Sequence, residues 1–447
     1  MASDTERNLP ILEVDGKQKT TVGNYFISNY PPYSFWTADQ RHLVETQLDT
    51  DPSPETPLGL YVHIPFCRKR CDFCYFKVYT DKNAEQIRRY LDAVLEEMRQ
   101  LAARPYLRGR KLEFVYFGGG TPSYLSVDQL QYLFEGLQES LSWEGTREIS
   151  FECEPGTLQE KKIFALREMG ITRLSLGIEN FNPEILELNN RAHRAKEIFR
   201  AYEAAQRAGF PQINIDLIAG MVGETDDNWR DCIEQTLKLA PESVTIYQME
   251  IPYNTTIYQQ MKDGKSLLAP VADWDTKRLW VSEGFDRLID AGYVLSSAYT
   301  ATKGENTSFL YRDALWRGAD MIGIGVSSIA HVGGIHYQNE HKFDPYVERA
   351  AKSELPIWRA YATTPDERFI REFILQLKLG RVECDYFRQK FDVDILDRFS
   401  QQLTKLESEG FLTHDPQHIT LTRDGLLQAD GLLPNFFLEA HQDARYA

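Results

Sequence analysis

The chain has few cysteines and no long apolar segment. Only six of its 447 residues are cysteine, which is too few for a disulfide framework in a chain of this length. No apolar run reaches the ~18 residues of a membrane-spanning helix, and the start, Met1–Arg7, lacks the pattern of a signal peptide. We therefore expect a cytoplasmic protein with no membrane span.

Positive charge is also scarce. The chain has 50 Lys and Arg against 66 Asp and Glu, a formal net charge of −16, and no basic stripe stands out. Proteins that bind nucleic acids need clustered Lys and Arg to contact phosphates, so we expect no nucleic-acid partner. With 42% hydrophobic residues, the chain can bury a large core, and its length favours two domains.

Half of the few cysteines lie in one short segment. Cys67, Cys71 and Cys74 follow directly on the apolar run Leu58–Phe66. Three thiolates on a loop that leaves a strand can hold three corners of an iron–sulfur cluster and leave one iron to a non-protein ligand. The alternatives are a zinc knuckle and three unrelated thiols. Zinc needs a fourth ligand with paired spacing, and the remaining cysteines repeat no such pattern, so the spacing favours a cluster with one open iron.

From residue 58, short β-branched or aromatic runs alternate with helical patterns, which predicts repeated βα units with a parallel sheet. Strands are predicted at 58–63, 112–117, 148–152, 173–178, 212–218 and 243–249, with helices near 84–103, 126–140, 158–169, 182–208 and 225–239. We therefore predict the α/β class, as an incomplete parallel (β/α)6 barrel. In such barrels, chemistry takes place at the C-terminal ends of the strands, where the cysteine segment also falls.

The cysteine segment, with Phe73 before its third cysteine and Tyr61-Val-His-Ile-Pro-Phe before its first, resembles the radical S-adenosylmethionine (SAM) superfamily. The wider frame is similar to the branch of oxygen-independent coproporphyrinogen III oxidase and its heme-chaperone relatives. The resemblance implies a 4Fe-4S cluster on the three cysteines, whose open iron binds SAM and whose electron cleaves it to a 5′-deoxyadenosyl radical. It also implies one or two SAM molecules, a small organic substrate, and a low-potential electron donor of flavodoxin or ferredoxin type.

The resemblance also implies which residues bind SAM. Glycines after the second predicted strand let the backbone approach a ligand closely, and in the family this stretch contacts the methionine portion of SAM. SAM needs anionic partners for its ammonium and ribose and a cation for its carboxylate. Surface ion pairing for Arg191 and strand-end capping for Glu152 are the alternatives. The residues carried over from the family are Tyr61, Phe73, Gly119, Gly120, Thr121, Glu152, Arg191 and Asp216.

Four residues depart from the coproporphyrinogen enzyme. Glu179 stands where that enzyme has a glutamine, Tyr75 and Phe76 stand where it carries a further cysteine, and Glu250 replaces a small residue. We predict Glu179 and Glu250 to be catalytic. The departures favour carbon–carbon bond formation, by C-methylation or cyclopropanation with a second SAM, on an aromatic or quinone-like substrate.

Two other functions stay open. The first is oxidative decarboxylation of coproporphyrinogen III, for which Lys303, Arg312 and Arg317 could bind propionates, although we interpret them as solvated loop charges. The second is a heme-binding chaperone, for which His331 and His336 could bind iron, although a lone histidine is more often structural.

Four segments are predicted. Residues 1–57 form an arm whose aromatic stretch, Asn24–Trp36, either contacts substrate at the barrel mouth or caps the barrel. Residues 58–300 form the partial barrel. Residues 301–363 form an extension and linker, in which Gly323-x-Gly325 predicts a closely packed strand and turn. Residues 364–447 form a mainly helical, winged-helix-like domain.

Overall fold

A single mixed sheet organises the fold. The computed structural model describes residues 13–14, 18–19, 29–252, 254–263, 269–304 and 307–442. The sheet has twelve strands. In chain order these are β1 (Leu58–Ile64), β2 (Leu112–Gly119), β3 (Glu148–Cys153), β4 (Arg173–Glu179), β5 (Gln212–Ala219), β6 (Ser243–Gln248), β7 (Tyr293–Leu295), β8 (Thr300–Lys303), β9 (Asp320–Ile324), β10 (Ile329–Val332), β11 (Ile335–Asn339) and β12 (Ile357–Ala362).

The sheet order is β12-β11-β10-β9-β1-β2-β3-β4-β5-β6-β8-β7. Strands β1 to β6 are parallel neighbours in sequence order, so the predicted six-unit arrangement is confirmed and all six C-terminal ends meet at one edge. The sequence did not indicate that the sheet continues beyond them. Strand β9 pairs in parallel with the outer side of β1, and antiparallel strands extend both edges.

Buried polar contacts fix β9 beside β1. Asp320 forms an ion pair of 2.8 Å with Arg110, accepts a hydrogen bond from Tyr106 at 2.7 Å, and its backbone N–H donates to Pro57. A buried carboxylate needs such partners. A Cβ on Gly323 would lie 2.1 Å from the Ile329 carbonyl oxygen, which accounts for the predicted close packing of this strand.

Helices pack around the sheet. They are α1 (Arg41–Leu48), α2 (Ala84–Ala102), α3 (Val127–Ser140), α4 (Glu160–Glu168), α5 (Pro183–Leu188), α6 (Ala195–Ala208), α7 (Asp226–Leu239), α8 (Thr256–Lys262), α9 (Trp274–Asp290), α10 (Leu310–Trp316) and α11 (Phe343–Ala351). Helix α10 differs from those on the outer face because its Tyr311 stacks on Tyr116 of the interior face. The single helix predicted at 182–208 is wrong. It is divided into α5 and α6 because Asn190 adopts a left-handed φ of 59° and the Asn189 side chain is bonded to the Val222 backbone.

The C-terminal segment is a helical unit with a small sheet. It contains α12 (Pro365–Leu377), β13 (Arg381–Glu383), α13 (Cys384–Phe391), α14 (Ile395–Arg398), α15 (Ser400–Ser408), β14 (Leu412–His414), β15 (His418–Leu421), α16 (Arg423–Leu427), α17 (Ala429–Leu432) and α18 (Glu439–Gln442). Its three strands pair in the order β13-β15-β14, as in a winged helix. Phe373 and Ile374 of α12 share one apolar core with Leu315 and Met321 beside the barrel.

The described end of the aromatic arm packs on the sheet extension and on the C-terminal unit. The Tyr30 carbonyl oxygen lies 2.9 Å from His336 Nε2, and its hydroxyl accepts a hydrogen bond from the Leu438 N–H at 3.1 Å. Trp36 stacks on His336 with ring centroids 5.1 Å apart. Residues 24–28 of the predicted aromatic stretch lie outside the described residues.

Candidate active site

The cysteine loop is held by the loops that follow β2 and β4. Cys67, Cys71 and Cys74 are all partly exposed. Thr121 Oγ1 donates to Cys67 Sγ at 3.2 Å, and Arg191 Nη1 donates to Cys71 Sγ at 3.3 Å. The hydrogen bond from Thr121 acts to lower the pKa of Cys67 and so favours the thiolate, which is the form that binds metal.

The surroundings of the three thiols fit an iron–sulfur cluster. Burial raises the pKa of Cys67 to about 12 and that of Cys74 to about 11, so these groups need a metal to become thiolates at neutral pH. No group of three or more His, Cys, Asp or Glu within the described ranges is arranged to hold a single metal ion. The donor set of three thiols is the kind that binds a cluster.

The glycine turn after β2 closes directly on the cysteine loop. A Cβ on Gly120 would lie 3.0 Å from Cys67 Sγ, and a Cβ on Gly119 would lie 2.6 Å from the His63 ring. Gly119 also has a φ of 115°, which side chains rarely adopt. Only glycine fits these positions, so the backbone lines the space beside the cysteines, as the sequence predicted.

Glu152 is fixed at the end of β3 by two hydrogen bonds. Tyr116 donates to Oε1 at 2.6 Å, and the Gly119 N–H donates to Oε2 at 3.1 Å. Burial raises the pKa of Glu152 to about 7, while these hydrogen bonds oppose the rise. Tyr61 stacks on Tyr116 with ring centroids 6.0 Å apart, so Tyr61 and Glu152 line the same interior face.

Asp216 lies in the middle of β5 and faces the barrel interior. Ser175 Oγ donates to Oδ2 at 2.8 Å, and Asn214 Nδ2 donates to Oδ1 at 2.9 Å. Burial raises the pKa of Asp216, and its hydrogen bonds and the charge of Arg173 act against that rise. These polar neighbours offset the desolvation cost of the Asp216 carboxylate within the sheet.

Glu179 has an unusual backbone. It adopts a φ of 66°, and the pairing of β4 with β5 shifts register between Gly177 and Glu179, so a bulge re-aims its side chain. Left-handed backbone at a non-glycine residue costs about 1–3 kcal/mol and clusters at functional sites. The carboxylate lies 3.5 Å from Arg191, and burial raises its pKa to about 7.

Two predicted residues lie away from this polar set. Phe73 packs in an apolar cluster with Met221 and Met249. Glu250 follows β6, is half-buried, and its charge contributes to the raised pKa of Tyr75, after burial as the main cause. The roles of Phe73 and Glu250 therefore stay predictions, as do the cofactor roles of the residues above.

The sequence did not indicate the importance of Arg173. Its guanidinium lies 3.9 Å from the Phe309 ring centre, and its Nε and Nη1 make no hydrogen bond within the part of the chain that is described. Its charge lowers the pKa of Glu152 and of Asp216. The alternation of strand β4, which places Arg173 on the same face as Ser175, could have identified it.

Arg312, His331 and His336, the residues considered for propionate or iron binding, are all buried. Arg312 is buried and forms an ion pair of 2.7 Å with Asp313, so its interpretation as a solvated loop charge is wrong. His331 and His336 face each other across β10 and β11. Burial lowers the pKa of His336 to about 3.

Comparisons with known proteins agree with this geometry. Residues 61–236 match the model of the Radical SAM superfamily, and residues 363–428 match that of the HemN C-terminal domain. Oxygen-independent coproporphyrinogen III oxidase of Escherichia coli is 28% identical over 409 residues, 88% of each chain. Heme chaperone HemW of Bacillus subtilis is 27% identical over 382 residues, 85% of this chain and 99% of that one.

The fold comparison covers nearly the whole chain. The structure of coproporphyrinogen III oxidase (HemN) from Escherichia coli, described as a radical SAM enzyme, matches with a TM-score of 0.80 at 27% identity and covers 91% of this chain and 96% of that one. The chain thus contains a Radical SAM domain and a HemN C-terminal domain. Its similarities are to the branch that contains HemN and HemW.

A Radical SAM domain implies a 4Fe-4S cluster, SAM, a reductant and a small-molecule substrate. When bound, the cluster and SAM together supply a 5′-deoxyadenosyl radical. Cys67, Cys71 and Cys74 are the residues that would hold the cluster. Among the described helices, none combines the length and apolar character that crossing a membrane requires.

Proposed function

We propose that this chain uses the SAM-derived radical to form a carbon–carbon bond on an aromatic or quinone-like substrate, by C-methylation or cyclopropanation with a second SAM as carbon donor. The observation that carries the proposal is the composition of the barrel interior. Tyr116 stacks on Tyr311 with ring centroids 4.3 Å apart, and Tyr61 stacks on Tyr116. Planar faces of this kind favour a flat, unsaturated substrate.

The charges of the interior also support an uncharged substrate. Glu152, Glu179 and Asp216 face the same space, as their mutual effects on pKa show. Arg312, one of the cations that the sequence offered for binding a propionate, is already paired with Asp313. A substrate with several carboxylates would meet more acids than free cations, which costs binding energy.

The named relatives do not support this reaction, and they favour a second candidate, the oxidative decarboxylation of coproporphyrinogen III. Oxygen-independent coproporphyrinogen III oxidases match most of the chain. Two donors of Arg173 have no hydrogen-bond partner among the described residues and could bind carboxylate oxygens. A heme chaperone is the remaining alternative, because HemW matches a similar share of the chain.

One anaerobic experiment separates the three functions. The reconstituted protein is given dithionite and SAM together with coproporphyrinogen III, a set of quinones, or heme, and products are identified by mass spectrometry. S-adenosylhomocysteine and 5′-deoxyadenosine with a mass gain on a quinone are expected. A mass loss from coproporphyrinogen III would establish the second candidate and overturn the first, and tight heme binding without turnover would establish a chaperone. The Glu179→Gln variant, which restores the glutamine of the coproporphyrinogen enzyme, is the matched comparison.

A further inference from the structure

The loop that carries the three cysteines also carries exposed positive charge. Arg68, Lys69 and Arg70 lie between the first two cysteines, and Lys77 follows the third. All four are exposed, and none of them forms an ion pair with a carboxylate in the described residues. The segment has one acid, Asp72, against these four cations, in a chain whose formal net charge is −16.

Hydrogen bonds to carbonyl oxygens hold the two arginines of this set without neutralising their charge. Arg68 donates to the carbonyl oxygens of Gly156 at 2.8 Å and Ala192 at 2.9 Å. Arg70 donates to those of Cys74 at 3.1 Å and Asn254 at 3.0 Å. Because carbonyl oxygens are neutral acceptors, the positive charge stays available, and the bonds fix it to the loops that surround the cysteines.

An exposed aromatic ring completes the surface. Phe76 is 40% exposed and lies directly beside Lys77, two residues after Cys74. Apolar residues surrounded by charge are common in protein–protein interfaces, where the charge orients the partner and the apolar residue excludes water. We call Arg68, Lys69, Arg70, Phe76 and Lys77 the cluster-loop patch.

We propose that the cluster-loop patch is the docking surface for an acidic electron-carrier protein, from which one electron passes to the cluster. The carrier is oxidised by one electron and the cluster is reduced by one, with no bond formed or broken. An acidic carrier is repelled by most of this chain and attracted at the patch, which directs its encounters to the cysteine loop. The proposal goes beyond the choice of substrate and does not depend on it.

The test compares one charge reversal at the patch with a matched reversal elsewhere. Lys69→Glu changes an exposed side chain that makes no hydrogen bond in the described residues. Lys111→Glu makes the same change directly before β2, at the opposite end of the parallel strands. The probe is an acidic flavodoxin in its hydroquinone form, and the readout is 5′-deoxyadenosine formed from SAM without organic substrate.

For Lys69→Glu, the flavodoxin concentration that gives half-maximal rate should rise about threefold to tenfold, the size expected for reversing one exposed charge. Lys111→Glu should leave it unchanged, and with dithionite all three proteins should give the same rate. Flavodoxin binding, followed separately by calorimetry, should weaken as salt rises. If Lys69→Glu lowers the iron content, Lys69→Gln takes its place, with about half the effect on a logarithmic scale.

Equal effects of the two reversals, or flavodoxin binding that does not respond to salt, would overturn the proposal. Because the assay contains no organic substrate, a wrong assignment of the reaction would leave these results unaltered. A failure of the docking surface and a failure of the proposed function are therefore distinguishable.

Discussion

Arg191 contacts both Cys71 of the cysteine loop and Glu179 at the end of β4. Its Nη1 lies 3.3 Å from Cys71 Sγ, and its Nη2 lies 3.5 Å from Glu179 Oε1 and 2.6 Å from the Gly177 carbonyl oxygen. One guanidinium thus links a predicted cluster ligand to a predicted catalytic residue. The left-handed Asn190 that divides α5 from α6 places it there.

We expect Glu179 and Arg191 to be energetically coupled in SAM binding. Glu179→Gln and Arg191→Gln should each weaken SAM binding. The double variant should lose less binding free energy than the sum of the two single losses, with a coupling energy of about 0.5–3 kcal/mol. Equilibrium binding of SAM to the reconstituted proteins measures this. The exposed pair Arg207–Glu160 is the control, since neither its single variants nor its double variant should change SAM affinity. Strictly additive losses of SAM affinity for Glu179 and Arg191 would contradict their coupling.

Cys71 should be required for the cluster, and Cys153 should not. Cys71→Ala removes one of three thiolate ligands, so we expect loss of most iron and of 5′-deoxyadenosine formation. Cys153→Ala removes a buried thiol on the face of β3 opposite to Glu152. The change should lower stability by about 1 kcal/mol while iron is retained. Iron analysis and visible absorption of both variants give the comparison. Full iron content in Cys71→Ala would refute the ligand assignment.

The parts of the site that the sequence predicted are those encoded locally. The spacing of Cys67, Cys71 and Cys74 and the glycines after β2 each lie within a few residues, and both features are in place. The position of Arg191 depends on a helix break that one asparagine in a left-handed conformation creates. The burial of Arg312 depends on where α10 packs, which brings Arg312 Nη1 within 3.3 Å of Ser296 Oγ, and no local pattern indicates that placement.

Arg173 should set the charge of Glu152 and Asp216, the acids of the barrel interior that we predict to bind SAM. Its guanidinium lowers the pKa of Glu152 and Asp216, so Arg173→Gln should raise both pKa values. Fewer carboxylates would then be ionised at neutral pH, and SAM affinity should recover as the pH is raised. The pH dependence of the SAM dissociation constant measures the shift, and Arg173→Lys should keep most of the wild-type profile. An unchanged profile in Arg173→Gln would contradict this role.

Glu97 should make stability depend on pH. It is 1% exposed, and burial raises its pKa from 4.5 to about 7, against hydrogen bonds from the Gly325 N–H, Tyr346 and Asn339. Because the folded pKa lies above the unfolded value, the contribution to stability is complete at low pH and is lost as pH rises through the folded pKa.

Relative to Glu97→Gln, the wild-type free energy of unfolding should therefore fall by about 2–3 kcal/mol between ~pH 5 and ~pH 8. Urea unfolding of both proteins at the two pH values measures these free energies. Subtracting the value of Glu97→Gln from that of the wild type at each pH cancels the contributions of the other buried acids. A constant difference would show that Glu97 titrates normally.

The pairing of β9 with β1 has a consequence for biosynthesis. When the cysteine loop leaves the ribosome, both neighbours of the strand that precedes it are still to be made. Strand β2 follows soon afterwards, but β9 is translated only after the remaining barrel strands. Local segments cannot supply a contact so distant in sequence. Assembly of the metal centre is thus tied to late events in translation, and a nascent chain that stops before Asp320 would expose an unpaired strand edge beside its thiols.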